Sequence, residues 1–165
     1  MNQSAQKELK QTIKDWWAAY PMTYGLEHGA ASFVAGDGRQ VVVEIGSREF
    51  FELADQRFYS WNIPRHNEKG YFGNIFDYER YRDRPVLEIG CGLGCMAMNW
   101  AQHGAQFTAV DINPVSVLHT ARRFEVFDLS GTIREGDAEN LPFPDDSFEY
   151  AYSWGVLHHT PNTRQ

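Results

Sequence analysis

The sequence predicts an α/β fold in which a doubly wound, mostly parallel sheet follows a mostly helical N-terminal segment. Three observations carry this. Residues 84–94, RPVLEIGCGLG, run a short apolar strand straight into glycines at every second position. Apolar residues then recur at helical spacing, and strand-like and helix-like segments alternate from there on. A strand feeding a glycine loop and then a helix presents backbone N–H groups to a nucleotide-like ligand.

The N-terminal third begins with a helical face at Leu9, Ile13, Trp16 and Trp17, which Pro21 would stop. Gly25, Gly29, Gly36 and Gly38 follow, and residues 41–45, VVVEI, read equally as a short strand or an extended linker. Ser47, with Glu49 and Glu52 close behind, suits the start of a second helix. Phe50, Phe51, Ala54, Phe58 and Trp61 supply its apolar positions, and Pro64 closes it. Most of the many aromatics in this third serve packing. Tyr59 and Trp61 are the preferred pocket residues, because a phenol or an indole N–H can orient a ligand. Residues 1–80 are thus expected to form a helical cap on the substrate side.

In the remaining chain, residues 86–89 read as a buried strand. Leu93, Met96, Ala97, Trp100 and Ala101 form a helix stopped by Gly104. Residues 106–111 are a second strand. Asn113 caps the next helix and Pro114 fits its first position. Val115, Leu118, Ala121 and Phe124 are its expected inner face. Residues 131–134 form a short third strand. The turn-rich Pro142, Pro144, Asp145 and Asp146 precede a fourth strand at 147–153.

The chain has 165 residues, enough for one ordinary domain, and its 42% apolar and 15% aromatic content is that of a folded protein. A net charge of −7 with scattered basic residues argues against nucleic acid as the main partner. No stretch reaches the roughly 20 apolar residues of a membrane span, and the first residues lack the apolar core of a secretory signal. The two cysteines, Cys91 and Cys95, both lie at the glycine loop and do not suggest a disulfide framework. Together these features point to the cytoplasm; oligomeric state is not legible.

Gly90, Gly92 and Gly94 have the spacing GxGxG. The dinucleotide fingerprint GxGxxG would need Gly or Ala where Cys95 stands. Asp111 ends the next strand, 21 residues beyond Gly90, where a carboxylate can accept from both hydroxyls of a ribose.

With these residues in view, VLEIGCGLG, AVDINP and GDAENLPFPDDSFEYAYSWGVLHH resemble the successive motifs of class I S-adenosylmethionine-dependent methyltransferases, most closely the small-molecule group called methyltransferase type 11. The resemblance covers about half of the chain, residues 84–162, and implies a Rossmann-like sheet with the first four strands in the order 3-2-1-4. It implies that the loop Glu88, Gly90, Cys91, Gly92, Gly94 passes beneath the methionine part of S-adenosyl-L-methionine. Asp111 would hold the ribose and Ile112 would pack on the adenine. Asp137 would accept from the adenine amino group and the Ala138 N–H would meet a ring nitrogen. Ser153 and Trp154 would lie near the amino-acid end. The implied reaction moves a methyl group from S-adenosyl-L-methionine to a small-molecule acceptor. A base is needed only if that acceptor must lose a proton, and His158, beside His159 after the fourth strand, is the candidate. His28, His66, His103 and His119 are too dispersed to form a metal site with them.

Two other readings compete: an NAD(P)-dependent oxidoreductase on a similar sheet, against which Cys95 and residues 136–141 argue, and a non-catalytic S-adenosylmethionine-binding or interaction module. The family sheet has seven strands. About four are expected here, with the fourth left as an open edge, so the sequence reads as a C-terminally truncated member whose catalysis alone would be weak.

Overall fold

The computed structural model describes residues 3–19, 30–34 and 38–162. Helix α1 spans Gln3–Ala19. Strands β1, Ala30–Val34, and β2, Gln40–Glu44, pair antiparallel. Helix α2 is Arg48–Tyr59, followed by 3₁₀ turns at Ser60–Arg65 and Tyr78–Tyr81. Then come β3, Pro85–Ile89; α3, Cys95–Gln102; β4, Gln106–Asp111; α4, Pro114–Val126; β5, Thr132–Glu135; and β6, Tyr150–Ser153, with a last 3₁₀ turn at Leu157–His159. Pro21 and glycines 25, 29 and 36 lie outside the described residues.

The main sheet has the order β5-β4-β3-β6, all parallel, which is the expected α/β arrangement. Its strand order reverses at β3, with β4 on one side and β6 on the other, so a crevice opens at the C-terminal ends of the strands around β3. The core on one side of the sheet is aromatic. Trp100 is fully buried and meets Phe76, Tyr78, Tyr81, Tyr150 and Tyr152 edge-on or tilted. A second core joins the hairpin to α2 through Phe33, Val43, Phe50, Phe51 and Ala54.

Three sequence expectations change. The segment 41–45 is the second strand of a hairpin, and its partner β1 carried no clear strand signal; the pairing itself supplies the missing hydrogen bonds. The last strand starts at Tyr150 rather than Ser147: the Ser147 hydroxyl still turns back to Pro144 O at 2.6 Å, and only at Glu149, whose N–H donates to Pro85 O at 3.0 Å, does the chain reach β3. The inner face of α4 is rotated from the expected one. Leu118 is 69% exposed, and the buried residues are Ser116, Thr120, Arg123 and Phe124. Ser116, Thr120 and Arg123 are tolerated on that buried face because each has a hydrogen-bond partner.

Candidate cofactor and acceptor site

The crevice is a cavity of about 450 Å³, within the range of small-ligand pockets. Its floor is the β3–α3 loop. Gly90, Gly92 and Gly94 all adopt positive φ, at 86°, 55° and 76°, which side-chain-bearing residues adopt only with strain. A Cβ at Gly90 would lie 2.2 Å from Val156 Cγ2. The loop is held from behind by α4: Thr120 Oγ1 donates to Gly92 O at 3.1 Å.

Asp111 sits at the end of β4 on the cavity wall. Its Oδ2 accepts the Gly92 N–H at 3.0 Å and its Oδ1 the Asn113 N–H at 2.8 Å. Burial pushes its carboxyl above the usual aspartate range, while those backbone donors and Ile112 pull it back in part. Ile112, Asp137 and Ala138 line the same end. Asp137 Oδ1 accepts the Glu139 N–H at 2.9 Å, and Lys10 of α1 reaches its Oδ2 at 2.6 Å.

Glu88 lies inside β3, directly opposite Tyr152 of β6, and is 1% exposed. Its Oε2 and the Tyr152 hydroxyl are both buried, each the other's nearest polar neighbour across the paired strands. Burial pushes the Glu88 carboxyl far up, the Tyr152 hydroxyl pulls it back in part, and the Asp111 charge adds to the upward shift. Burial likewise holds the thiols of Cys91 and Cys95 protonated, so neither is an activated nucleophile.

The opposite wall comes from the N-terminal segment. Asp55, Phe58, Tyr59 and Trp61 line it, with Ile13 and Trp17 of α1. Tyr59 packs on Phe72 and Tyr71, and burial raises its phenol well above the usual range. Trp61 stands 65% exposed, so it contributes at the mouth. Trp154 stacks at a tilt on Phe72, 4.8 Å between centroids. His158 and His159 form part of the rim. Their rings are 4.0 Å apart, and His159 lies edge-on to Trp17. Partial burial, with the adjacent His158, lowers the His159 pKa.

The cavity therefore gathers Glu88, Gly90, Cys91, Gly92, Asp111, Ile112, Asp137, Ala138, Trp154, Tyr59, Trp61 and His158. Two expected residues are not on its wall. Gly94 starts α3 in a left-handed conformation and packs on Thr120, where a Cβ would sit 2.8 Å from Cγ2. Ser153 turns its hydroxyl to Ile89 O at 3.0 Å, tying β6 to β3.

Sequence reading missed Lys10, Trp17 and Asp55. Asp55 had a legible signal: it stands four residues after Phe51 on the apolar face of α2, an unusual place for an acid. Its partner is Arg123, which donates to both carboxylate oxygens at 2.8 Å in a fully buried pair.

Residues 86–165 match the family model described as a methyltransferase domain. The chain is 29% identical over 133 residues to the sterol 24-C-methyltransferase ERG6B of Gibberella zeae, covering 70% of this chain and 35% of the relative. It is 34% identical over 81 residues to the phthiotriol/phenolphthiotriol dimycocerosates methyltransferase of Mycobacterium leprae, covering 48% of this chain and 29% of the relative. It thus spans about a third of the length of these curated relatives. The crystal structure of the [4+2]-cyclase SpnF superimposes with a TM-score of 0.56 at 22% identity, over 93% of this chain and 52% of that one, a likeness of fold. A parallel sheet, a glycine loop and an acid closing the second strand thus all lie within residues 86–165, the segment that matches the methyltransferase-domain model.

Proposed function

We propose that this protein binds S-adenosyl-L-methionine in the crevice and directs its methyl group to a small-molecule acceptor. The observation that carries the reading is the convergence of the positive-φ glycine loop, the Asp111 carboxylate and the Asp137 carboxylate on one cavity. That donor and acceptor set fits the group: an acid for ribose hydroxyls, an acid and a backbone N–H for an adenine edge, and glycines where the backbone approaches closely. Asp111 would hold the ribose, Ile112 the adenine face, and Asp137 with Ala138 the adenine edge. Glu88, Gly90, Cys91 and Gly92 would underlie the methionine part, with Trp154 at its end. The cofactor, when bound, supplies an electrophilic methyl group.

The chain's own residues bind, orient and exclude water, effects that together can lower a barrier by several kcal/mol. Residues 1–80 act as the cap and residues 81–165 as the cofactor-binding part. Tyr59, Phe58, Trp61 and Trp154 make the acceptor end aromatic, which supports an apolar acceptor; the named relatives act on sterols and on phthiotriol lipids. His158, on the rim, would take a proton where the acceptor carries one at the attacking atom. No helix among the described residues is long and apolar enough to cross a membrane, and the net charge of −7 supports a neutral or cationic small molecule over nucleic acid, in the cytoplasm.

Calorimetry with S-adenosylmethionine and S-adenosylhomocysteine tests this directly. Saturable binding of both is expected. Folded protein that binds neither would overturn the reading, and NADH binding in their place would favour an oxidoreductase.

A further inference from the structure

Helix α1 lies across the end of the cavity lined by Asp111, Ile112, Asp137 and Ala138. Lys10, Ile13 and Trp17 fall at spacings of three and four, so they share one helical face, and all three line the cavity. The Lys10 ammonium is 2.6 Å from Asp137 Oδ2 and 2.6 Å from Glu139 Oε2. One cation therefore bridges two carboxylates that lie 127 residues or more away in sequence. The bridge is not a loose surface pair, because the Glu139 side chain is only 7% exposed. The other oxygens are already committed. Asp137 Oδ1 accepts the Glu139 N–H at 2.9 Å, and Glu139 Oε1 accepts the Asn162 N–H at 2.6 Å. Lys10 thus completes the orientation of both carboxylates and neutralises their mutual repulsion.

The far end of α1 is tied separately. Asn113, fully buried at the start of α4, donates from Nδ2 to Trp17 O at 2.9 Å, and the Trp17 ring rests edge-on against His159. The N-terminal segment therefore divides its work. Helix α2 walls the aromatic end of the cavity, while α1 closes the end that carries Asp137.

We propose that Lys10 is a positioning residue for the cofactor: it fixes the Asp137 carboxylate and latches α1 over that end of the cavity, so that a bound nucleoside leaves only when the latch opens. This rests on the reading that the cavity holds an S-adenosyl compound. Closing a charged clasp over a bound ligand acts mainly on the rate of release.

The test uses the full 165-residue chain. S-adenosylhomocysteine release is followed by stopped-flow tryptophan fluorescence, and amide exchange of residues 3–19 is measured in ligand-free protein. Lys10→Met is expected to speed release about tenfold and association less than about twofold, and to speed exchange in α1. Lys10→Arg keeps the charge and is expected to restore both. Glu139→Gln halves the clasp without touching α1 and is expected to speed release in the same direction. Unchanged release in Lys10→Met, or failure of Lys10→Arg to restore it, overturns the proposal, because packing rather than charge would then hold the helix. If the wild-type chain binds no S-adenosyl compound, the cofactor reading fails by itself. Exchange then decides the latch: faster in Lys10→Met supports it, unchanged refutes it.

Discussion

Arg123 of α4 grips Asp55 of α2 through both terminal guanidinium nitrogens, each at 2.8 Å, and its guanidinium lies 4.6 Å over the Phe51 ring. The pair fixes the wall that carries Tyr59 against the helix that supports the glycine loop. Removing one partner leaves the other buried and uncompensated. Asp55→Ala is therefore expected to lower stability by about 3–5 kcal/mol, read by chemical denaturation. The double variant Asp55→Leu/Arg123→Met is expected to lose much less, since two apolar groups leave no orphaned charge.

Asp111 offers its carboxylate to the cavity while two backbone N–H groups hold it in place. Asp111→Asn should weaken S-adenosylhomocysteine binding by about tenfold to a hundredfold, a larger loss than His158→Ala causes. Because burial raises the Asp111 pKa, affinity in the wild type should begin to fall on acidification above the ordinary aspartate range. Calorimetry across pH checks this, and the Asn variant should show a flatter decline.

Glu88 carries a pKa far above its unfolded value, so the folded state holds its proton more tightly than the unfolded chain does. Its contribution to stability is complete below the unfolded carboxylate pKa and declines as pH rises toward the folded one. Glu88→Gln removes the ionisation with little change in shape. Stability of that variant, measured by denaturant titration at several pH values, should fall less between acid and neutral pH than the wild type does.

Gly90 combines a φ of 86° with a virtual Cβ only 2.2 Å from Val156. Gly90→Ala should cost about 1–3 kcal/mol from backbone strain alone, and the displaced loop should weaken cofactor binding as well. A variant with unchanged melting temperature and unchanged affinity would show that the loop adapts.

Much of the second half was legible because its signals are local. The Asn113 side chain caps α4 by accepting from Val115 N, with Pro114 in its first turn, and Ser47 caps α2 by accepting from Phe50 N. Strands and helices alternate as their apolar periods suggest. The inner face of α4 was misread for a physical reason. Apolar periodicity assumes that the buried side of a helix is greasy, whereas Asn113, Ser116, Thr120 and Arg123 are buried because each meets a polar partner: Trp17 O, Asn113, Gly92 O and Asp55. Apart from the local Asn113–Ser116 bond, those partners are distant in sequence, so no local pattern announces them.

The sequence by itself determined the parallel sheet, the glycine loop and the acid that closes the second strand, since strand-forming runs, glycine spacing and caps act over a few residues. Tertiary structure alone decided which parts of the N-terminal segment meet the cavity. Lys10 reaches Asp137, and Asp55 reaches Arg123, only because the chain folds back over the sheet and burial makes each unpaired charge costly. It also decided that Gly94 and Ser153 serve packing rather than the cavity wall, since both are turned toward Thr120 and Ile89.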